Sequence, residues 1–132
     1  MSGERDLDVL LGAINPALRP GTFVYVSVSA DAARSVTAAA SVVEDEGVSM
    51  VVTREEADDR DWVYDFEAAW ITLRVHSALD AVGLTAAVSA ALADHGISCN
   101  VVAGFHHDHL LVPVADAERA MATLTALATR RD

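Results

Sequence analysis

The segment Val101 to Val114, VVAGFHHDHLLVPV, sets His106, His107 and His109 around Asp108 in a chain with five histidines in all. Imidazole and carboxylate together suit a divalent metal such as zinc or nickel, an acid–base centre, or the mouth of a site for a cationic ligand group. For a metal, strand alternation throws His107 and His109 to one side and His106 and Asp108 to the other. No face then gathers three ligands, so a metal would need His76 or a second subunit to complete its set. For catalysis, Ser77 and Asp108 are at hand, but neither lies in a nucleophile elbow or triad signature. In the third reading the turn is a tight one that lines a ligand mouth, with Asp108 pairing a cationic group. Histidines with pKa near ~6.5 would there make binding pH-sensitive.

A second candidate is the stretch HSALDAVGLTA, His76 to Ala86, which leads a strand into a helix. The first turn of a helix has unsatisfied N–H groups and a partial positive charge, and a glycine there, Gly83, lets a ligand approach the backbone. Asp80 is the carboxylate of this turn and could pair a cationic group. Alternatively Asp80 or Ser77 caps the helix and Gly83 relieves packing. Asn100 and Val102 share a strand face opposite Ile97, Cys99, Val101 and Ala103; Asn100 is a ligand contact or a structural bridge. Arg74 is either a carboxylate clamp or a solvated or dimer-contact residue.

These residues need elements to hold them. Leu7, Leu10, Leu11 and Ile14 mark one helical face, stopped by Asn15-Pro16. Pro20-Gly21 reads as a turn into a strand over Thr22 to Val28, and residues 30–53 read as a short helical turn and a hairpin around an acidic turn ending in Gly47. REEADDRD predicts one or two helical turns. AAWITLRVH alternates as a strand with one buried face, Ile71, Leu73 and Val75. A helix follows from Val82 to His95, with Leu84, Val88 and Leu92 on its stripe and Gly96 at C′. Strands flank the histidine turn, with Pro113 marking an edge position. Asp116 caps a last helix carrying Ala117, Met121, Leu124 and Ala128, and TRRD is its frayed end. The order is strand, helix, hairpin, helix, twice over. That predicts an α+β fold, tandem ferredoxin-like halves at 1–64 and 65–132, with an antiparallel sheet and helices on one face.

Composition sets limits. The chain has 132 residues, 52% hydrophobic and 22% charged, a globular balance. Nine basic residues face 20 acidic ones for a net charge of −11, which makes nucleic acid and anionic membrane poor partners. The single Cys99 excludes an internal disulfide and fits a reducing compartment. MSGERDLDVLLGA lacks the pattern of a secretory leader, and no apolar run approaches ~18 residues. A cytoplasmic protein is expected.

The stretches LRPGTFVYVSV and WITLRVHSALDAVGLTAAVSAALADHGISCNVVAGFHHDHLLVPVADAERAM resemble the small stand-alone bacterial ACT-domain proteins built from two ACT-like halves. The likeness runs from about Leu18 to Leu127 and is sharpest in VHS, VGLTAAVSAALADHGISCNVVAG and HDHLLVPV. His106 stands where an aromatic residue is usual. The resemblance implies a regulatory module, not an enzyme and without a cofactor, that binds a small molecule, an amino acid first, at the junction of halves or subunits of a homodimer. It implies that a ligand carboxylate meets backbone amides in the turn before the helix, at Gly83, Leu84 and Thr85. Asp80 and Asp108 would then be the charge partners, His107 and His109 the rim, and Asn100 and Val102 the adjoining strand face. A metal-binding protein using the His106–His109 turn and an interaction subunit that binds no ligand are the rival readings.

Overall fold

The structure, a computed structural model, describes residues 3–129; Arg130 to Asp132 of TRRD lie outside the described residues. In chain order the elements are α1 (Leu7–Ala13), β1 (Pro16–Val28), α2 (Ala30–Ala33), β2 (Ala40–Glu44), β3 (Gly47–Thr53), α3 (Arg54–Asp59), β4 (Glu67–Leu73), α4 (Leu84–Asp94), β5 (Asn100–Ala103), β6 (Asp108–Pro113) and α5 (Ala117–Thr129), the last entered through a 3-10 turn at Val114–Asp116. Strand, helix, hairpin, helix thus occurs twice, as the sequence pattern requires. Six strands take the order β2-β3-β1-β4-β6-β5. The pairs β1/β3, β2/β3 and β5/β6 are antiparallel.

Two compact units divide the chain: Pro20–Ala68 forms one, and the segment up to Arg19 joins Ala69 onward to form the other. In the first unit, Val24 and Val26 of β1 and Met50 and Val52 of β3 bury themselves with Ala57 of α3. Alternate residues of each strand therefore make one apolar face, the period a half-buried strand demands. Thr53 starts α3 with a reciprocal cap: its hydroxyl accepts from the Glu56 N–H and the Glu56 carboxylate accepts from the Thr53 N–H.

The second unit holds the larger core. Ala69, Ile71 and Leu73 of β4 and Leu110 and Val112 of β6 pack against Leu10 and Leu11 of α1, Leu84, Val88 and Leu92 of α4, and Ala120, Leu124 and Leu127 of α5. All three helices cover one sheet face, because the buried residues of both strands alternate onto it. The end of α4 is a Schellman motif: Gly96 N–H donates to the Ala93 carbonyl and Ile97 N–H to that of Leu92, with Gly96 at φ +70°.

Four local expectations change. β1 starts at Pro16 rather than Thr22 and runs through Pro20-Gly21. Proline's fixed φ is compatible with extended chain, and Gly21 takes φ +102° inside the strand, a value that only glycine accepts freely. Pro113 closes β6, which is interior between β4 and β5; it is the strand's last residue that tolerates the missing N–H, not an edge. Both faces of β4 are buried, since Trp70 is only 3% exposed, its ring under the Arg19 guanidinium and beside His109. Asp116 ends the 3-10 turn, and its carboxylate pairs with Arg119 at 2.8 Å.

Candidate functional site

The turn from His76 to Gly83 is held by the chain's own N-terminal segment. Glu4 N–H donates to the His76 carbonyl and Ala78 N–H to the Glu4 carbonyl, at 3.0 and 2.9 Å, a parallel bridge of Glu4 with Ser77. Arg5 reaches Asp80 at 2.9 Å. Asp6 then caps α1 by accepting from the Val9 N–H, so four consecutive residues, Gly3 to Asp6, connect the leading helix to this turn.

The helix that follows starts differently from the three before it. Side chains of Asp6, Ser29 and Thr53 cap α1, α2 and α3, whereas α4 has Gly83 at its N-cap, φ +104°, with no side-chain cap. Neither Ser77 nor Asp80 caps it, so the capping half of that alternative falls. The first bond into the helix runs from Ala87 N–H to the Gly83 carbonyl, which leaves the amides of Leu84, Thr85 and Ala86 ahead of it without intrahelical acceptors. Gly83 is small for a packing reason too: a Cβ there would stand 3.1 Å from Leu7 Cδ2.

A cavity of about 130 Å³ opens at this helix start. Gly83, Leu84 and Thr85 form one wall, Ser77, Ala78 and Leu79 another, and Ala103 and Asp108 of the β5–β6 hairpin a third. The Ser77 hydroxyl donates to Asp108 Oδ2 at 3.4 Å. A helix start of partial positive charge and a carboxylate thus line the same small space, a match for a ligand bearing both an anionic and a cationic group.

Asp80 lies outside this cavity and is 71% exposed at its side chain. The hydrogen bond from Arg5 holds its carboxyl below the usual carboxylate range. It lines a second cavity of about 240 Å³, beside His76, Leu79 and Phe105. Asn100 is exposed on β5, and Val102 pairs across the hairpin with His109; neither lines the two cavities. Phe105, conspicuous at the hairpin tip as a large apolar side chain between Gly104 and His106, was not among the expected site residues.

The histidines diverge. His109 Nδ1 lies 2.9 Å from Thr72 Oγ1, and Trp70 Nε1 donates to the same oxygen. Burial, with His107 nearby, lowers the His109 pKa below the ordinary imidazole value, against a smaller opposing pull from Asp108. His106 sits with its ring 5.1 Å from Phe105 and 5.5 Å from His76. His107 Nδ1 is buried without a hydrogen-bond partner. Among the described residues no group of three or more His, Cys, Asp and Glu is arranged to hold a metal, and no helix is long and apolar enough to cross a membrane.

Comparison with known proteins agrees with this architecture. The ACT domain is matched twice, over residues 2–69 and 65–126. The chain belongs to the ACT-domain family, as a tandem of two such domains, and is of the class of ligand-binding regulatory modules. A crystal structure of a Vibrio cholerae protein of unknown function, described as a possible transport protein, is 38% identical over 92% of this chain and 95% of that one, with a TM-score of 0.84. An Agrobacterium tumefaciens protein is 23% identical over 87% and 89%, TM-score 0.65. The regulatory subunit of aspartate kinase from Thermus flavus shares the fold at 12% identity over 87% and 98%, TM-score 0.66. No curated protein matches the chain.

Proposed function

We propose that this protein senses a free amino acid, which it binds at the start of α4. The observation that carries the reading is the cavity at an uncapped helix N-terminus with Asp108 in its lining. The amides of Leu84 and Thr85 receive the ligand's carboxylate, and Asp108, steadied by Ser77, receives its ammonium. Gly83 supports this through its left-handed backbone, φ +104°, which sets the turn into the helix start. His107 and His109 act from the hairpin behind the site rather than as ligand contacts. Asp80 serves the neighbouring turn through Arg5.

Regulation follows from where the walls come from. The ligand bridges the turn before α4 and the β5–β6 hairpin, so it favours whichever arrangement of these two segments closes on it, and the population shifts toward that state. The protein works in this reading as a cytoplasmic homodimer. β2 and β5 end the strand order, and β2 exposes Val42 and Val43; unpaired backbone edges of this kind are what a second copy joins.

The test is thermal unfolding of chelator-treated, untagged protein against the common L-amino acids, with divalent metals in parallel. A ligand at ~100 times its Kd adds about 2.7 kcal/mol and raises Tm by several degrees. A selective shift with an amino acid is the expected result. A response to metal alone, or to nothing, would sink the reading.

A further inference from the structure

The cavity beside Phe105 shares three wall residues, Ser77, Ala78 and Leu79, with the cavity at the start of α4. The two spaces adjoin the same turn of chain. We infer that the second is the side-chain subsite of the same ligand, and that the amino acid taken is an uncharged one with a large apolar side chain, aromatic before aliphatic. This rests on the amino-acid reading above.

Size comes first. The helix-start cavity, about 130 Å³, suits the compact carboxylate and ammonium end of an amino acid. The neighbour, at about 240 Å³, exceeds the ~150 Å³ cavity that suffices to hold a benzene ring in a protein interior.

Surface chemistry comes second. Leu79 and Phe105 stand 69% and 66% exposed at this cavity, large apolar side chains whose burial under a ligand is favourable. Phe105, His106 and His76 run as a row of rings with centroids 5.1 and 5.5 Å apart. Phe105 and His76 at its two ends line the cavity, so an aromatic side chain meets ring edges and faces there.

Charge comes third. The one carboxylate in the lining is Asp80, already paired with Arg5 at 2.9 Å. An acidic side chain would be set beside that carboxylate, and a basic one would compete with Arg5 for it. Neither gains what an apolar side chain gains.

The experiment is calorimetric titration with glycine, L-alanine, L-leucine, L-phenylalanine, L-aspartate and L-lysine, on the wild type, on Phe105→Ala and on Asp108→Asn. L-phenylalanine is expected to bind at least tenfold more tightly than glycine or alanine, with leucine between. Phe105→Ala is expected to cost L-phenylalanine roughly tenfold, the size of effect an apolar pocket contact has, and to leave glycine and alanine within about twofold. Because Phe105 is exposed, its removal leaves the unfolding temperature unchanged, which confirms that the variant is folded. If glycine, aspartate or lysine binds as tightly as phenylalanine, or Phe105→Ala changes nothing while Asp108→Asn still abolishes binding, the subsite is wrong and the helix-start site stands. If no amino acid binds the wild type, both fall together.

Discussion

Thr72 Oγ1 stands 2.9 Å from His109 Nδ1 while accepting the indole N–H of Trp70 at 3.1 Å, so one hydroxyl joins β4 to β6 on the face away from the helices. The two rings lie 5.1 Å apart. Burial holds the His109 pKa below its ordinary value in the folded protein, and the unfolded chain titrates near ~6.5. Between the folded value and ~6.5 the unfolded state therefore binds more protons, and stability rises with pH across that window. It is fully present above ~6.5 and is lost as pH falls through the folded pKa. Thermal unfolding of wild type and His109→Gln from pH 8 to 5 checks this. The wild type should lose stability more steeply below pH 6.5 than the variant, and equal slopes would remove His109 as the cause.

Gly83 combines φ +104° with Leu7 Cδ2 pressed close to its missing Cβ. Gly83→Ala is expected to destabilise by about 2 kcal/mol, since the new residue is strained in the backbone and crowded by Leu7. Gly96 supplies the control: its φ is +70° and nothing lies within 4 Å of a Cβ placed there. Gly96→Ala should cost only about 1 kcal/mol. Urea unfolding of both variants measures the gap. Equal losses would show that Leu7 yields and that the backbone alone is responsible.

How much of this was readable beforehand depended on distance along the chain. The stripe Leu84, Val88, Leu92 with Gly96 after it specifies α4 and its end from neighbouring residues alone, and the α+β pattern of two repeats follows from such local periods. The pattern starts β1 too late because Pro20-Gly21 is a strong turn signal locally, whereas the chain stays extended from Pro16 with Gly21 at φ +102°. At the site, Gly83, Leu84, Thr85 and Asp108 line one cavity. Asp80 does not, because its partner is Arg5, 75 residues away, and no spacing rule links them. The same is true of Arg19 over Trp70, which buries a strand face that alternation marks as open.

Cys99 belongs to the apolar side of the segment before β5 and packs, partly buried, against the larger core. Burial pushes its thiol above the ordinary value, so the reactive thiolate is scarcer at neutral pH than in a free cysteine. Alkylation by iodoacetamide at pH 7.5 should be several-fold slower in the native protein than in urea. Its rate should climb with pH until well past the usual thiol range. Native and unfolded rates that coincide would mean that the core does not shield the sulfur.

The two carboxylates near the α4 turn have different partners, and that difference separates their roles. Asp108 accepts from the Ser77 hydroxyl and faces the cavity at the helix start, whereas Asp80 spends its charge on Arg5 at an exposed surface. A desolvated charge-assisted hydrogen bond to a ligand ammonium is worth about 1.5–3 kcal/mol, so Asp108→Asn should weaken amino-acid binding by roughly ten- to a hundredfold. Asp80→Asn breaks an exposed ion pair of small worth and should change affinity by less than about threefold. Isothermal titration of both variants with the amino acid that shifts the wild-type Tm decides between them. If the Asp80 variant loses binding and the Asp108 variant keeps it, the ammonium lies in the Phe105 cavity and the ligand is oriented the other way round.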